Sequence, residues 1–346
     1  MTLSNAHAAF SQAWPAFALV AGLLLVGATA AREGLFAEAG ARAACVPGGG
    51  TALLASLLLV TAAVTAVLNL DTAVVFMTPV LLHAARRRGL GEAPFLYGTV
   101  FMANAASLLL PGSNLTNLIV LAHDDVSGST FAAHLWPAWI ASVAVTIVSL
   151  AAVFRADLRR REPDDLERPT FAPRAGTLAV AVAAVLVLVL SRPALPVLAV
   201  GVAAALAGRL PVRSAVRAAN PSLLGGVLAL AVLLGTAARA LHGLGSLATH
   251  TGRWASAWLG AGAAVLVNNL PAATVLSARV PAHPRALLLG LDLGPNLAVT
   301  GSLSALLWLQ VARTNGARPS VVRYSLLGIV LVPVSLTLAL AAASSF

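Results

Sequence analysis

Asp71 and Asp292 differ from the other acidic residues of the chain because they alone lie deep inside long apolar runs. An ionised carboxylate at the centre of a membrane helix costs about 2.5–3.5 kcal/mol on insertion scales, so such residues persist where they face a cavity, pair, or carry protons or ions. A helix cap or a local hydrogen bond is the alternative role. The sequence therefore predicts Asp71 and Asp292 as proton- or ion-coupling residues, with Asp71 as the proton carrier because it lies at a predicted hairpin tip.

Uncharged donors and acceptors occupy four interruptions of the apolar runs. No Arg falls inside these interrupted segments, and the chain contains no Lys. Because Arg is the usual bidentate clamp for an anion, this favours a small, neutral, polyol-like solute, or one held by helix termini, which bind anions without Arg. The predicted binding residues are Asn69, Thr72, Ser113, Asn114, Thr116, Asn117, Asn268, Asn269, Asn296, Thr300, Gly301 and Ser302.

The composition is typical of a polytopic membrane protein. Of the 346 residues, 59% are hydrophobic and 10% are charged, and the mean hydropathy is +0.89. These values lie far from those of soluble proteins. The 22 basic residues are all Arg and give a net charge of +10, but they lie in short gaps between apolar runs. There they set membrane orientation, so we do not predict nucleic-acid binding.

Catalytic and metal chemistry is not predicted. Cys45 is the only cysteine, which excludes an intramolecular disulfide and any thiolate-rich metal site. The seven His residues never approach a metal-ligand spacing, and no nucleophile–base pair is present. The sequence therefore predicts neither an enzyme nor a bound cofactor.

The interruptions recur in the same order in the two halves of the chain. Asn-containing breaks predict helical hairpins at 51–82 and 254–277, and breaks rich in Gly, Pro and hydroxyl residues predict broken helices at 95–122 and 286–311. This order indicates an internal repeat, with residues 1–154 as the first unit and 175–346 as the second. The Arg-rich stretch 155–174 is predicted to be a cytoplasmic linker.

The distribution of Arg predicts how these segments cross the bilayer. If both hairpins are re-entrant, 17 of the 22 Arg residues share one side, whereas a single crossing of each gives 14 against 8. The positive-inside rule favours the first arrangement and places the Arg-rich side in the cytoplasm. The predicted fold is an all-α, multi-pass plasma-membrane protein of a bacterial cell, with two inverted repeats, about eight crossings and two hairpins.

Four segments resemble the signature segments of the arsenite/antimonite efflux permeases of the ion transporter superfamily. They are NLDTAVVFMTPVLL at 69–82, ANAASLLLPGSNLTNLIV at 103–120, VNNLPAATVL at 267–276 and LDLGPNLAVTGSLSALLWL at 291–309. The resemblance implies a mobile transport domain, a scaffold that forms a homodimer, and export of trivalent arsenic or antimony hydroxide coupled to inward movement of protons. A cytoplasmic ATPase subunit is a further candidate partner.

The sequence departs from that family at several positions. Asn104 replaces the usual Asp and Asn296 replaces the usual Lys, so opposite charges are lost together. The opening scaffold helices of the family are also expected to be missing. A sodium/proton antiporter or an inorganic or organic anion permease of the same fold is the nearer alternative function. A non-transporting remnant is the more distant one.

Overall fold

The computed structural model describes residues 3–45, 47–123, 126–159, 174–240 and 246–343, and these are helical apart from turns and loops. The predicted all-α class is confirmed. The helices are α1 (Leu3–Arg32), α2 (Leu35–Ala44), α3 (Gly50–Val67), α4 (Leu70–Arg87), α5 (Ala93–Ala106), α6 (Leu115–Val120), α7 (Gly128–Val153), α8 (Ala175–Val189), α9 (Ala194–Ala207), α10 (Val212–Ala219), α11 (Pro221–Ala240), α12 (Arg253–Val267), α13 (Asn269–Leu276), α14 (Pro284–Leu293), α15 (Leu303–Thr314) and α16 (Val321–Ala342).

Five helical segments of the described chain are long and apolar enough to cross a membrane. They are Leu3–Arg32, Gly50–Val67, Gly128–Val153, Val212–Ala240 and Val321–Ala342. Helices α8 and α9 are equally apolar but shorter than the roughly 20 residues that a perpendicular span requires. The chain is therefore a polytopic membrane protein, while the inverted orientation of its halves stays a prediction.

The described helices are interrupted within all four of the predicted segments, whereas their arrangement as hairpins and broken helices of two repeats stays a prediction. The segment 51–82 corresponds to α3 and α4, which meet at Leu68 and Asn69, and the segment 254–277 corresponds to α12 and α13, which meet at Asn268. The predicted broken helices correspond to α5 with α6 and to α14 with α15. Residues 160–173 of the predicted linker lie outside the described residues.

Helix α1 contacts α8, α9, α10 and α11. Elsewhere, α4 packs on α5 and α15, α12 packs on α14, and α7 packs on α16. Helices α1 and α9 approach closely because both carry glycine at the crossing. A Cβ added to Gly22 would lie 2.7 Å from Leu198 Cα, and one added to Gly201 would lie 2.5 Å from Gly22 O. Small residues at such crossings are typical of membrane helix pairs.

Two short helices, α2 and α10, were not anticipated from the apolar runs. Helix α10 carries Arg213 and Arg217 and has no fully buried residue, and α2 buries only a narrow face that includes Phe36. Both lie at the Arg-rich ends of longer helices. Because each is amphipathic and shorter than a span, hydropathy alone does not reveal them.

Candidate functional site

Side-chain caps explain why the four breaks form. The Oδ1 atoms of Asn69 and Asn114 accept hydrogen bonds from the backbone nitrogens of Thr72 (2.7 Å) and Thr116 (3.2 Å), so they begin α4 and α6. Asn268 begins α13 in the same way, and Ser302 Oγ accepts from Ala305 N at 3.1 Å to begin α15. These caps satisfy backbone donors that no lipid could satisfy.

Asp292 joins the two broken helices at the centre of the protein. Its side chain is completely buried, and its carboxylate accepts hydrogen bonds from Asn114 Nδ2 and Thr116 Oγ1, both at 2.8 Å. Ser107 Oγ donates to the other carboxylate oxygen at 3.1 Å. The donors belong to the break between α5 and α6, and Asp292 lies at the end of α14. We call the set Ser107, Asn114, Thr116, Asn117 and Asp292 the central cluster.

A second buried contact ties the same two broken helices together. Asn104 Nδ2 donates to Asn296 Oδ1 at 2.7 Å, and Asn296 Nδ2 donates to Phe101 O at 3.4 Å. The two positions where the family resemblance is interrupted are therefore direct neighbours. The amide pair leaves no lone buried charge at these positions, which would be costly.

Asp71 occupies a different environment at the tip between α3 and α4. Ser304 Oγ, near the start of α15, donates a short hydrogen bond to Asp71 Oδ1. Asp71 and Thr72 line a cavity of about 830 Å³ between α1, α10, α11 and α15. Its walls are mainly apolar, with the exposed Arg32 and Arg217 among the lining residues. Asp71 thus faces an open space, unlike Asp292.

The tip between α12 and α13 contacts the second broken helix. Asn268 Nδ2 donates to Thr300 O at 2.9 Å, and Asn268 adopts a positive φ of 79°. Asn269 is buried, and Gly301 packs so tightly that a Cβ there would lie 2.8 Å from Pro295 Cα. These residues hold the break between α14 and α15 in place.

The structure thus divides the predicted site residues between three hydrogen-bonded places. Ser113, Asn114, Thr116, Asn117, Asn296 and Asp292 lie between the broken helices; Asn69, Asp71 and Thr72 lie at the first hairpin tip; and Asn268, Asn269, Thr300, Gly301 and Ser302 lie around the second. Whether they bind solute or ions stays a prediction.

Sequence reasoning missed a polar contact between α1 and the carboxyl ends of α6 and α13. Gln12 Nε2 donates to Ile119 O at 3.0 Å and to Ser277 O at 3.1 Å, at the ends of α6 and α13. Arg239 of α11 donates a short hydrogen bond to Gln12 Oε1. We call this contact the Gln12 clasp. The sequence offered little signal, because Gln12 lies near the start of α1 beside Ser11, where polar residues are common.

Part of this chain is similar in sequence to a plant transporter. A 144-residue stretch is 28% identical to the silicon efflux transporter LSI3 of Oryza sativa subsp. japonica, covering 42% of this chain and 30% of the rice protein. The aligned part is thus less than a third of that protein.

The fold is shared with a solved transporter. The match to the YdaH transporter of Alcanivorax borkumensis covers 98% of this chain and 86% of the YdaH chain, with a TM-score of 0.62 and 14% sequence identity. The description of that crystal structure notes an unusual topology. At this identity the likeness shows the fold.

The sequence profile of the citrate transporter family, CitMHS, matches residues 1–309. This family match confirms the resemblance to the ion transporter superfamily, whereas the narrower assignment to the arsenite permeases stays a prediction. Because the match covers most of the chain, this protein belongs to the citrate transporter (CitMHS) family.

Proposed function

We propose that the protein exports a small uncharged hydroxide of the arsenite/antimonite type in exchange for protons. The observation that carries the proposal is the chemistry of the central cluster and the adjacent Asn104–Asn296 pair. Their hydrogen bonds come from amides, hydroxyls and one carboxylate, with no guanidinium among the described contacts. A hydroxide solute donates and accepts hydrogen bonds at each hydroxyl, so it matches such a mixed set without a cationic clamp.

The rice relative supports the same class of solute. It is named for silicon efflux, and silicon dissolves at neutral pH as an uncharged tetrahydroxide. Trivalent arsenic and antimony dissolve as uncharged trihydroxides of similar size. We infer that the solute is a neutral inorganic hydroxide, with arsenite and antimonite as the first candidates.

Asp71 is the proposed proton carrier. It faces the 830 Å³ cavity that Arg32 and Arg217 also line, and it contacts α15 through Ser304. A carboxylate that reaches an open cavity can exchange protons with water, whereas Asp292 is enclosed. If the Arg-rich side is cytoplasmic, Asp71 exchanges protons with the cytoplasm in this conformation.

Alternating access is proposed to follow an elevator-like movement of the hairpins and broken helices against α1, α8, α9 and α11. The Gln12 clasp is the polar contact that such a movement must break, because it joins α1 and α11 to α6 and α13. Assembly of two copies and docking of a cytoplasmic ATPase subunit stay predictions.

Citrate is the second candidate solute. The name of the family points to it, and the lining of the cavity by Arg32 and Arg217 is the structural observation that favours an anion. Both Arg side chains are exposed and lie at the edge of the membrane-embedded part, where they could attract an anion without holding it at the centre.

Everted membrane vesicles containing the protein test these candidates. Accumulation of arsenite, antimonite, silicate and citrate is measured separately, with and without an imposed proton gradient. We expect gradient-dependent accumulation of arsenite or antimonite, and none in vesicles that lack the protein. Accumulation of citrate alone would contradict the proposal and support the second candidate.

A further inference from the structure

We propose that the cavity beside Asp71 binds an anionic phospholipid, with its phosphate at Arg32 and Arg217 and an acyl chain along the apolar walls. The cavity has a volume of about 830 Å³ and is lined by residues of α1, α4, α10, α11 and α15. A ligand with a charged head group and an apolar tail suits this cavity, because the two ends of the cavity differ in the same way.

The lining of the cavity changes from basic to apolar along α1. Leu24, Ala28 and Arg32 all line it, and their spacing of four residues places them on one face of the helix. At a rise of about 1.5 Å per residue, Leu24 lies about 12 Å from Arg32 along the helix axis. This depth is comparable with the roughly 15 Å of one hydrocarbon leaflet. The cavity therefore extends far enough along α1 to take most of an acyl chain.

The walls of the cavity away from Arg32 are apolar and only half-buried. They include Val75, Phe76, Leu224 and Leu307, which belong to α4, α11 and α15. Apolar surface costs about 25 cal/mol per Å² when it is exposed to water, so a hydrocarbon chain covers these walls more favourably than water does. A free anion such as citrate has no apolar group for them.

Helix α10 places the mouth of the cavity at the level of the lipid head groups. Its residues Ser214 and Arg217 line the cavity, whereas its apolar residues Val212 and Val216 do not and are 78% and 52% exposed. A short amphipathic helix with an exposed apolar face lies in the plane of the membrane interface. Arg217 is therefore at the depth where the phosphates of the leaflet lie.

The two arginines at the mouth are available to a phosphate. Arg32 and Arg217 are both exposed, and no hydrogen bond or ion pair within the described residues involves either side chain. Guanidinium groups bind phosphate oxygens with two parallel hydrogen bonds, and basic residues at the membrane interface attract anionic lipids. The mouth therefore has the charge that an anionic head group requires.

Asp71 lies at the inner end of the same cavity. It is in the first turn of α4, and this helix runs toward the predicted Arg-rich side, where it ends at Arg87 about 24 Å further along the axis. Like charges repel, so a carboxylate at the inner end disfavours an anionic group there but does not repel an apolar chain end. The head group is therefore placed at the mouth and the tail inside.

Binding does not depend on the transported solute; only an effect of the lipid on proton access to Asp71 would rest on the proposed function. It is therefore measured on the purified, delipidated full chain in detergent. The midpoint of thermal unfolding is followed as phosphatidylglycerol or phosphatidylcholine with the same acyl chains is added. We expect a saturable rise with phosphatidylglycerol that is larger than the rise with phosphatidylcholine.

Two further measurements test the head group and the tail separately. Citrate and inorganic phosphate, added without lipid, are expected to leave the unfolding midpoint unchanged. Dihexanoyl phosphatidylglycerol is expected to bind more weakly than the long-chain lipid, because its short chains cover less of the apolar walls.

A matched pair of variants on α10 locates the site. Arg217→Gln should weaken the apparent affinity for phosphatidylglycerol about fivefold, the usual contribution of one Arg near an anionic lipid surface. Arg213→Gln should keep the wild-type affinity, since Arg213 is also exposed and lies one turn away but does not line the cavity. Arg32→Gln should act like Arg217→Gln.

Equal shifts of the unfolding midpoint with phosphatidylglycerol and phosphatidylcholine would overturn the proposal. So would equal losses of affinity in Arg213→Gln and Arg217→Gln, which would indicate a general attraction of the Arg-rich side to anionic lipids. A rise of the same size with citrate or inorganic phosphate would assign the two arginines to a free anion instead. A transport assay that finds no arsenite export would refute the proposed function but would not alter these binding results.

Discussion

The two membrane-embedded carboxylates are held in opposite ways. Asp292 is enclosed between the broken helices and accepts three hydrogen bonds from neutral donors, whereas Asp71 is half-buried, contacts Ser304 and lines a large cavity. The enclosed carboxylate links the two broken helices through its hydrogen bonds, whereas the cavity-facing one contacts α15 alone among its described hydrogen-bond partners. Two carboxylates that both lie inside apolar runs can therefore have very different surroundings.

Thr116 and Ser304, the hydroxyl donors to Asp292 and Asp71, occupy matching positions relative to the caps of their helices. Thr116 lies two residues after the cap Asn114, and Ser304 lies two residues after the cap Ser302. Asn104 and Asp292 likewise precede those caps by the same number of residues. Matching positions of this kind are expected of an internal repeat. One carboxylate, Asp71, lies in the first turn of α4 in the first half, and the other, Asp292, lies at the end of α14 in the second.

The largest expected effect is that of Asp292→Asn on stability. The substitution replaces an acceptor of three hydrogen bonds by an amide that cannot accept all three, so buried donors lose their partner. We expect unfolding to become easier by about 2–4 kcal/mol. Thermal unfolding in detergent measures this change. A midpoint equal to that of the wild type would mean that the central cluster does not hold the broken helices together.

Asp71→Asn is expected to act on transport rather than on stability. Its side chain has one described hydrogen-bond partner and faces a cavity, so the protein should insert and unfold like the wild type. Proton-driven accumulation should fall about 5- to 150-fold, the usual range for loss of coupling between two sites. Solute exchange in the absence of a gradient should persist. Full proton-driven transport by this variant would move the coupling role to Asp292.

Gln12→Leu tests whether the Gln12 clasp restricts access to the cavity that Gln12 and Leu118 line. Removing its amide leaves Ile119 O and Ser277 O without this donor, which should shift the conformational equilibrium by about 1–2 kcal/mol, or about 5- to 30-fold. A cysteine at Leu118, introduced after Cys45→Ser, should then react faster with an impermeant maleimide, since Leu118 and Gln12 line one cavity. Gln310→Leu, at an exposed position, is the matched control. Equal labelling rates of both variants would show that the Gln12 clasp does not control access to position 118.

The smallest expected effects come from the two equivalent hydroxyls. Thr116→Val should destabilise the protein by about 1–2 kcal/mol, because Asp292 is buried and cannot replace the lost hydrogen bond with water. Ser304→Ala should cost less than about 1 kcal/mol, because Asp71 reaches the cavity. Denaturant unfolding of the two variants measures the difference. The reverse order would show that the two carboxylates are held alike.

The amino-acid sequence by itself determined the helical class and the membrane location. Apolar runs of span length leave a chain few alternatives in lipid, and Asn, Ser, Pro and Gly at the interruptions act locally on the backbone. The helices are interrupted between α3 and α4, α5 and α6, α12 and α13, and α14 and α15, whereas their arrangement as hairpins of two inverted repeats stays a prediction.

Only the tertiary structure decided which polar groups meet. Asn104 contacts Asn296, Ser304 contacts Asp71, and Gln12 contacts the ends of α6 and α13. Each pairing joins residues far apart in the sequence, and composition at one position carries no information about its partner. The sequence places Asp71 and Asp292 alike inside apolar runs. Their surroundings differ in the folded protein because helix packing encloses Asp292 and leaves a cavity beside Asp71.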